Sequence, residues 1–324
     1  MKRYSKIAID ISNFYSRAYF ASPELTSIIL PDGFELVTGG IIRTLKMLQR
    51  VEREFLDLDG EIYFLFDNCH SGINKRKDID PDYKSNRTPR EETFYRSLDY
   101  LHLILMSYKD NYFTVKKQGY EADDLVESFA QKFISDNILL VTNDFDWFRA
   151  ISETVHVAKY EQNIKNYFIY KPSDFEEKFG FPPTNTKMCL YKSFRGDKGD
   201  NVPNGCPGIR TKDLIRLVED YDSIKQIYLD VQNIEYLSPT FKKKIIENRS
   251  RLIMNYKLVG YLSISIPELE ESVFDCSFKP KTLLNLYKSL QLEPKEIDPR
   301  VYQYFIRKEK KPSSFFKPKK IPRV

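Results

Sequence analysis

The chain has 324 residues, 51 Lys+Arg against 46 Asp+Glu, a formal net charge of +5, and a composition 41% hydrophobic and 30% charged. That balance excludes a disordered chain, and no apolar run approaches the roughly 18 residues that cross a bilayer. Four cysteines and three histidines at no ligand spacing exclude a disulfide framework and a zinc knuckle, which fits a soluble, cytoplasmic, reducing setting.

In chain order, Ser5–Ile11 reads as a short buried strand, and Gly39–Phe55 repeats apolar residues at helical spacing. Glu61–Phe66 is another strand and Phe113–Val115 a weak one. Ala122–Phe133 is a helix, Ile138–Val141 a strand and Phe145–Ile151 a short helix. Thr154–Ala158 and Tyr167–Tyr170 are candidate edge strands. This alternation, with continuously apolar strands, predicts an α/β fold with a mostly parallel sheet covered by helices on both faces. From Pro172 onward the pattern turns helical, with Lys212–Glu219, Phe241–Asn248 and Lys281–Leu290 clearest. The expected organisation is an α/β domain over 1–180, a helical region over 181–306 and a flexible tail over 307–324.

The small net charge is an average of unlike parts. Arg307–Val324 carries eight basic residues and one acid, so the rest of the chain sums to −2. Ile73–Arg90, inside a long connection with little apolar material, holds six basic residues and three acids. Phe241–Lys257 holds six basic residues and one acid. Such asymmetry points to nucleic acid or an anionic surface.

Nine acids stand where chemistry places them. Asp10 and Asp67 close two strands, at the sheet edge where α/β proteins bind ligands. Asp144 and Asp146 follow a third strand, Glu121, Asp123 and Asp124 open a helix, and Asp197 and Asp200 lie three apart between the two regions. Singly, these acids also read as helix-start or turn residues. The first four of these segments deliver carboxylates to one edge of one sheet, and carboxylates that close repel unless cations bridge them. Hard divalent ions take such oxygens, and two ions about 4 Å apart can hydrolyse a phosphodiester. Phosphate-loop and dinucleotide motifs are missing, and no histidine has a triad context.

Six blocks resemble the structure-specific 5′ nucleases, or flap endonucleases, a family that includes phage 5′-exonucleases (some called RNase H) and the 5′-nuclease domain of bacterial DNA polymerase I. They are Ile7–Arg17, Phe66-Asp67, Asp82–Arg87, Gly119–Asp124, Val141–Asp146 and Arg195–Pro203. The resemblance implies a PIN-like sheet and two or more Mg²⁺ or Mn²⁺ ions lined by the nine acids, with Asp197 and Asp200 serving the second. It makes Lys84, Arg87 and Arg17 cations for the scissile phosphate and Tyr83 a stacking face for a terminal base. Residues near 68–110 would form a basic arch over the site. Asn204–Asp213 is similar to the family's helix–hairpin–helix element, with Gly205, Gly208, Arg210 and Lys212 against a duplex phosphate. Arg210 stands where the family has a second glycine, which counts against a K⁺ there.

The activity implied is 5′-3′ exonuclease and flap endonuclease cleavage by a monomer, on DNA with 5′ flaps or ends and on RNA–DNA hybrid, in replication and repair. Rival readings are a catalytically inactive junction-binding protein and a PIN-like single-strand RNA nuclease. Pro312–Lys317 loosely resembles a paired-aromatic peptide that grips a sliding clamp, and a single-strand-binding protein is a further candidate partner.

Overall fold

The computed structural model describes residues 3–21, 26–68, 74–294, 298–301 and 303. The basic tail and its clamp-type peptide lie outside them. Among the described residues no helix is long and apolar enough to cross a membrane.

The first half builds β1 (Tyr4–Asp10), α1 (Ile11–Phe20), a hairpin of β2 (Ser27–Ile29) and β3 (Glu35–Val37), α2 (Gly39–Phe55), β4 (Leu56–Leu65), α3 (Glu92–Met106), β5 (Tyr112–Val115), α4 (Ala122–Lys132), β6 (Ile138–Val141), β7 (Val155–Glu161) and β8 (Asn166–Tyr170). The second half holds α5 (Pro172–Phe179), α6 (Asn185–Arg195), α7 (Thr211–Asp220), α8 (Ile224–Asp230), α9 (Pro239–Glu247), α10 (Arg249–Val259), α11 (Ile266–Glu270), β9 (Val273–Asp275) and α12 (Pro280–Ser289).

Seven strands form one sheet in the order β8-β7-β6-β1-β4-β5-β9. The inner pairs are parallel and the two outer pairs, β7 with β8 and β5 with β9, are antiparallel. Successive residues of a strand face opposite sides, so each strand feeds two cores. Ile7, Ile9, Phe64 and Val141 pack with α1, α2 and α3, whereas Ala8, Leu65 and Leu140 pack with α4 and the helical region. The chain runs from β1 outward through β4 and β5, then returns to β6 on the other flank of β1. The order therefore reverses between β1 and β6, which makes the crevice beyond their C-terminal ends the natural ligand site.

Two expected boundaries move. The arch over 68–110 is shorter, because α3 buries Leu98, Leu101, Ile104 and Leu105 against the body. Ahead of that helix, Arg76, Lys84 and Arg87 in the segment 74–91 reach the acids. The helical region 181–306 is likewise not separate at its far end. β9 pairs with β5, and Leu283, Tyr287 and Val301 join the first core.

Candidate active site

The floor of the site is laid by strand ends. Asp10, buried at the end of β1, accepts hydrogen bonds from the Asn13 N–H at 3.0 Å and the Thr142 hydroxyl at 2.9 Å, so it also caps α1. Asp67, just past β4, accepts from the Ala122 N–H at 2.8 Å and pins the start of α4. Asp144 caps the short 3₁₀ turn 145–150 through the Asp146 N–H at 2.9 Å. Asp123, in the first turn of α4, accepts from the Trp147 indole N–H at 2.7 Å.

These carboxylates feel one another. Burial, then the charge of Asp67, pushes Asp10 up to about 8. Burial and neighbouring Asp146 push Asp144 up to about 6, and Asp123 is raised by burial and by Asp144 and Asp146. Burial would raise Asp146 as well, but Arg149 and Lys192 beside it hold it down to about 2. Desolvated like charges of this kind favour the protonated form unless cations join them.

Asp146, Asp197 and Asp200 each turn a carboxylate oxygen to within 4.8 Å of the others. The last two are presented by a tight turn after α6. Gly196 at φ +73° opens it, and a Cβ there would lie 2.6 Å from the Val202 carbonyl oxygen, so only glycine fits. Paired backbone bonds between Asp197 and Val202, at 2.8 and 2.9 Å, close it. An all-oxygen, strongly anionic donor set of this sort fits a hard divalent cation.

Basic side chains pair with several of the acids. The Lys84 ammonium lies 2.7 Å from Glu121 and 3.8 Å from Asp200, on a backbone turned to φ +57°. Arg87 pairs with Asp200 and donates to the Gly199 carbonyl at 3.0 Å. Arg17 does not reach the acids. Its guanidinium lies over the Tyr160 ring and donates to Asn143, the neighbour of Asp144, at 3.1 Å.

Lys192 escaped the reading of the sequence. Its ammonium donates to Asp197 at 2.7 Å and to Asp146, between two of the converging carboxylates. A lysine inside the apolar run Leu190–Phe194 of a buried helix face was the available signal, since a buried ammonium requires an anionic partner. Buried Arg149, paired with Asp146 and donating to the Val259 carbonyl, was missed in the same way.

Three expected roles change. Asp124 is already paired within the chain: the Arg76 guanidinium grips both its oxygens, at 2.7 and 2.8 Å, and the Leu262 N–H donates to it at 2.8 Å. Tyr83 offers no free ring for a base. It is 3% exposed, packed near Val202 and Leu258, and its hydroxyl donates to Asp200 at 2.8 Å. Gly205 is buried rather than presented to a duplex, because a Cβ there would lie 2.3 Å from the Ser193 carbonyl oxygen. Gly208 at φ +86°, Arg210 and Lys212 are exposed at the start of α7, although Arg210 is paired with Asp213.

The family model described as 5′-3′ exonuclease, N-terminal resolvase-like domain, matches residues 5–180. The chain belongs to this family. A 5′-3′ exonuclease of Buchnera aphidicola subsp. Schizaphis graminum is 28% identical over 274 residues, covering 84% of this chain and 88% of that protein. DNA polymerase I of Caldicellulosiruptor bescii is 27% identical over 303 residues, which is 91% of this chain, and the chain spans only 33% of the polymerase. Among solved structures, the flap endonuclease of bacteriophage T5, in a pseudo-enzyme-product complex with DNA and metal ions, aligns at 15% identity with a TM-score of 0.58, over 95% of this chain and 100% of that one. Family and relatives agree on a 5′-3′ exonuclease, and the likeness to the phage enzyme extends to the fold.

Proposed function

We propose that the chain hydrolyses DNA at junctions of single-stranded 5′ ends or flaps with duplex, using Mg²⁺ or Mn²⁺, as a monomer acting in replication and repair. RNA–DNA hybrid is a second substrate. The observation that carries this reading is the convergence of Asp146, Asp197 and Asp200 beside Asp10, Asp67, Glu121, Asp123 and Asp144, under a basic segment. Divalent ions held by these carboxylates would polarise a water and neutralise charge on the phosphodiester.

The chain's own residues supply the rest. Lys84 and Arg87, at the rim, meet the charge that develops on the phosphoryl oxygens, where a preorganised cation counts most. Arg17, braced by Tyr160 and Asn143, adds a contact on the side of β6. Arg76 orients the cluster by holding Asp124 and Glu121. Gly208, Lys212 and the start of α7 take a duplex phosphate, which sets the distance from junction to cut.

Digestion of 5′-labelled flap, nicked and RNA–DNA substrates with Mg²⁺, Mn²⁺ or a chelator tests the proposal. Cleavage near the junction that requires the divalent ion is the expected result. Tight flap binding without cleavage in any divalent ion would make the chain an inactive junction-binding protein.

A further inference from the structure

At the hairpin before α7, the cation that sequence spacing points to is already neutralised. Arg210 pairs with buried Asp213 through two hydrogen bonds, at 2.6 and 3.1 Å. A different cation comes from a distant element. The Lys244 ammonium, on α9, donates to the Pro207 carbonyl at 2.8 Å and lies 5.3 Å from the Phe241 ring centroid. It stands against the turn itself, 3.7 Å from where a Cβ on Gly208 would be. Among the described residues Lys244 forms no ion pair, so its charge is not cancelled. Burial pushes the thiol of Cys206, in the same turn, upward, and the Lys244 charge partly offsets that rise.

An alkali ion bridging hairpin carbonyls to a phosphate would need those oxygens free. Here the Pro207 oxygen accepts from an ammonium, and the Cys206 oxygen accepts from the Ile209 N–H at 3.3 Å. A second monovalent cation at this turn would also repel the first. The hairpin therefore does not fit a K⁺ site.

We infer that Lys244 is the resident cation of the hairpin and binds the duplex phosphate that the turn presents, so that duplex binding needs no potassium. This rests on the nuclease reading above. The ammonium has donors to spare beyond Pro207, and that carbonyl and the Phe241 ring hold it at the turn before DNA arrives. Arg210 with Asp213 then serves as a rigid plug at the start of α7 rather than as a phosphate ligand.

The experiment measures binding of a fluorescein-labelled flap duplex to the full chain in a chelator, by anisotropy. Chloride salts of K⁺, Na⁺ and tetramethylammonium are compared at equal ionic strength, and each is titrated for its salt slope. The wild-type Kd is expected to agree within about twofold across the three cations, and Lys244→Met to weaken binding about tenfold and lower the salt slope by about one phosphate contact. Lys244→Arg should restore the slope, and Arg210→Met with Asp213→Asn, which removes the pair without leaving a bare buried charge, should leave it unchanged. Wild-type binding that is several-fold tighter in K⁺ than in tetramethylammonium would overturn the inference. So would a Lys244→Met variant with an unchanged slope, because the lysine would then only brace the turn. Failure of the wild type to bind duplex in any salt would instead remove the nuclease reading on which the inference rests.

Discussion

The Arg76 guanidinium holds the Asp124 carboxylate with two hydrogen bonds and reaches the Leu258 and Gly260 carbonyls, both at 3.0 Å. One arginine thus ties the segment over the site to the start of α4 and the end of α10. Removing it leaves Asp124 buried and unpaired. Arg76→Ala is expected to lower unfolding stability by about 3–5 kcal/mol, and Arg76→Met with Asp124→Leu to recover part of that loss. Urea unfolding checks both.

Asp144 caps the 3₁₀ turn through the Asp146 N–H, a bond an Asn oxygen can keep, but among the described residues it forms no ion pair, and its charge is opposed by Asp146. Asp144→Asn should therefore leave the fold intact and cut cleavage by about 100-fold or more. Flap affinity, measured by anisotropy in a chelator, should stay within about twofold.

Asp10 supplies a pH dependence. Its folded-state value of about 8 exceeds the ordinary 3.8, so the native state holds the proton over that window while the unfolded chain has released it. Stability of the ion-free protein should therefore fall as pH rises from about 4 to about 8. Asp10→Asn should flatten that fall. Mg²⁺ should raise the Tm more at the upper end of the window than at the lower, because its ligands must be deprotonated. Calorimetry with and without the ion reads all three.

Lys84→Ala should lower kcat about 100-fold while changing the Kd for a flap less than about threefold. An equal fall in binding and turnover would make Lys84 a docking charge only. Single-turnover kinetics separates the two.

Tyr83→Phe distinguishes a buried anchor from a stacking face. The substitution keeps the ring but removes the bonds to Asp200 at 2.8 Å and Glu121 at 3.2 Å. The ion-free protein should lose about 1–3 kcal/mol, measured by urea unfolding. A base platform would not register the change.

Much of this architecture was legible because it is written in local periodicity. α2 and β6 fall where the apolar spacing places them, and the acids at strand ends follow from a parallel sheet. Other features depend on contacts far apart in sequence. β9 is three residues long and is a strand only because β5 lies beside it. Tyr83 sits in a charged loop, and nothing local says that Glu121 and Asp200 bury it. Nor does anything local say that Arg76, some 48 residues before Asp124, holds both of its oxygens. The shift of the hairpin cation from Arg210 to Lys244 needed the packing of α9 on the turn.

The return of the chain at β9 has a mechanical meaning. The helices that would grip duplex leave the sheet after β8 and rejoin it beside β5, near the opposite edge. A module fastened at two separated points cannot swivel as one hung from a single linker can. The gap between the Lys244 hairpin and the carboxylates is therefore a fixed gauge. Deleting β9 should blur the length of the cleavage products before it abolishes their formation, which sizing the products on a gel would read.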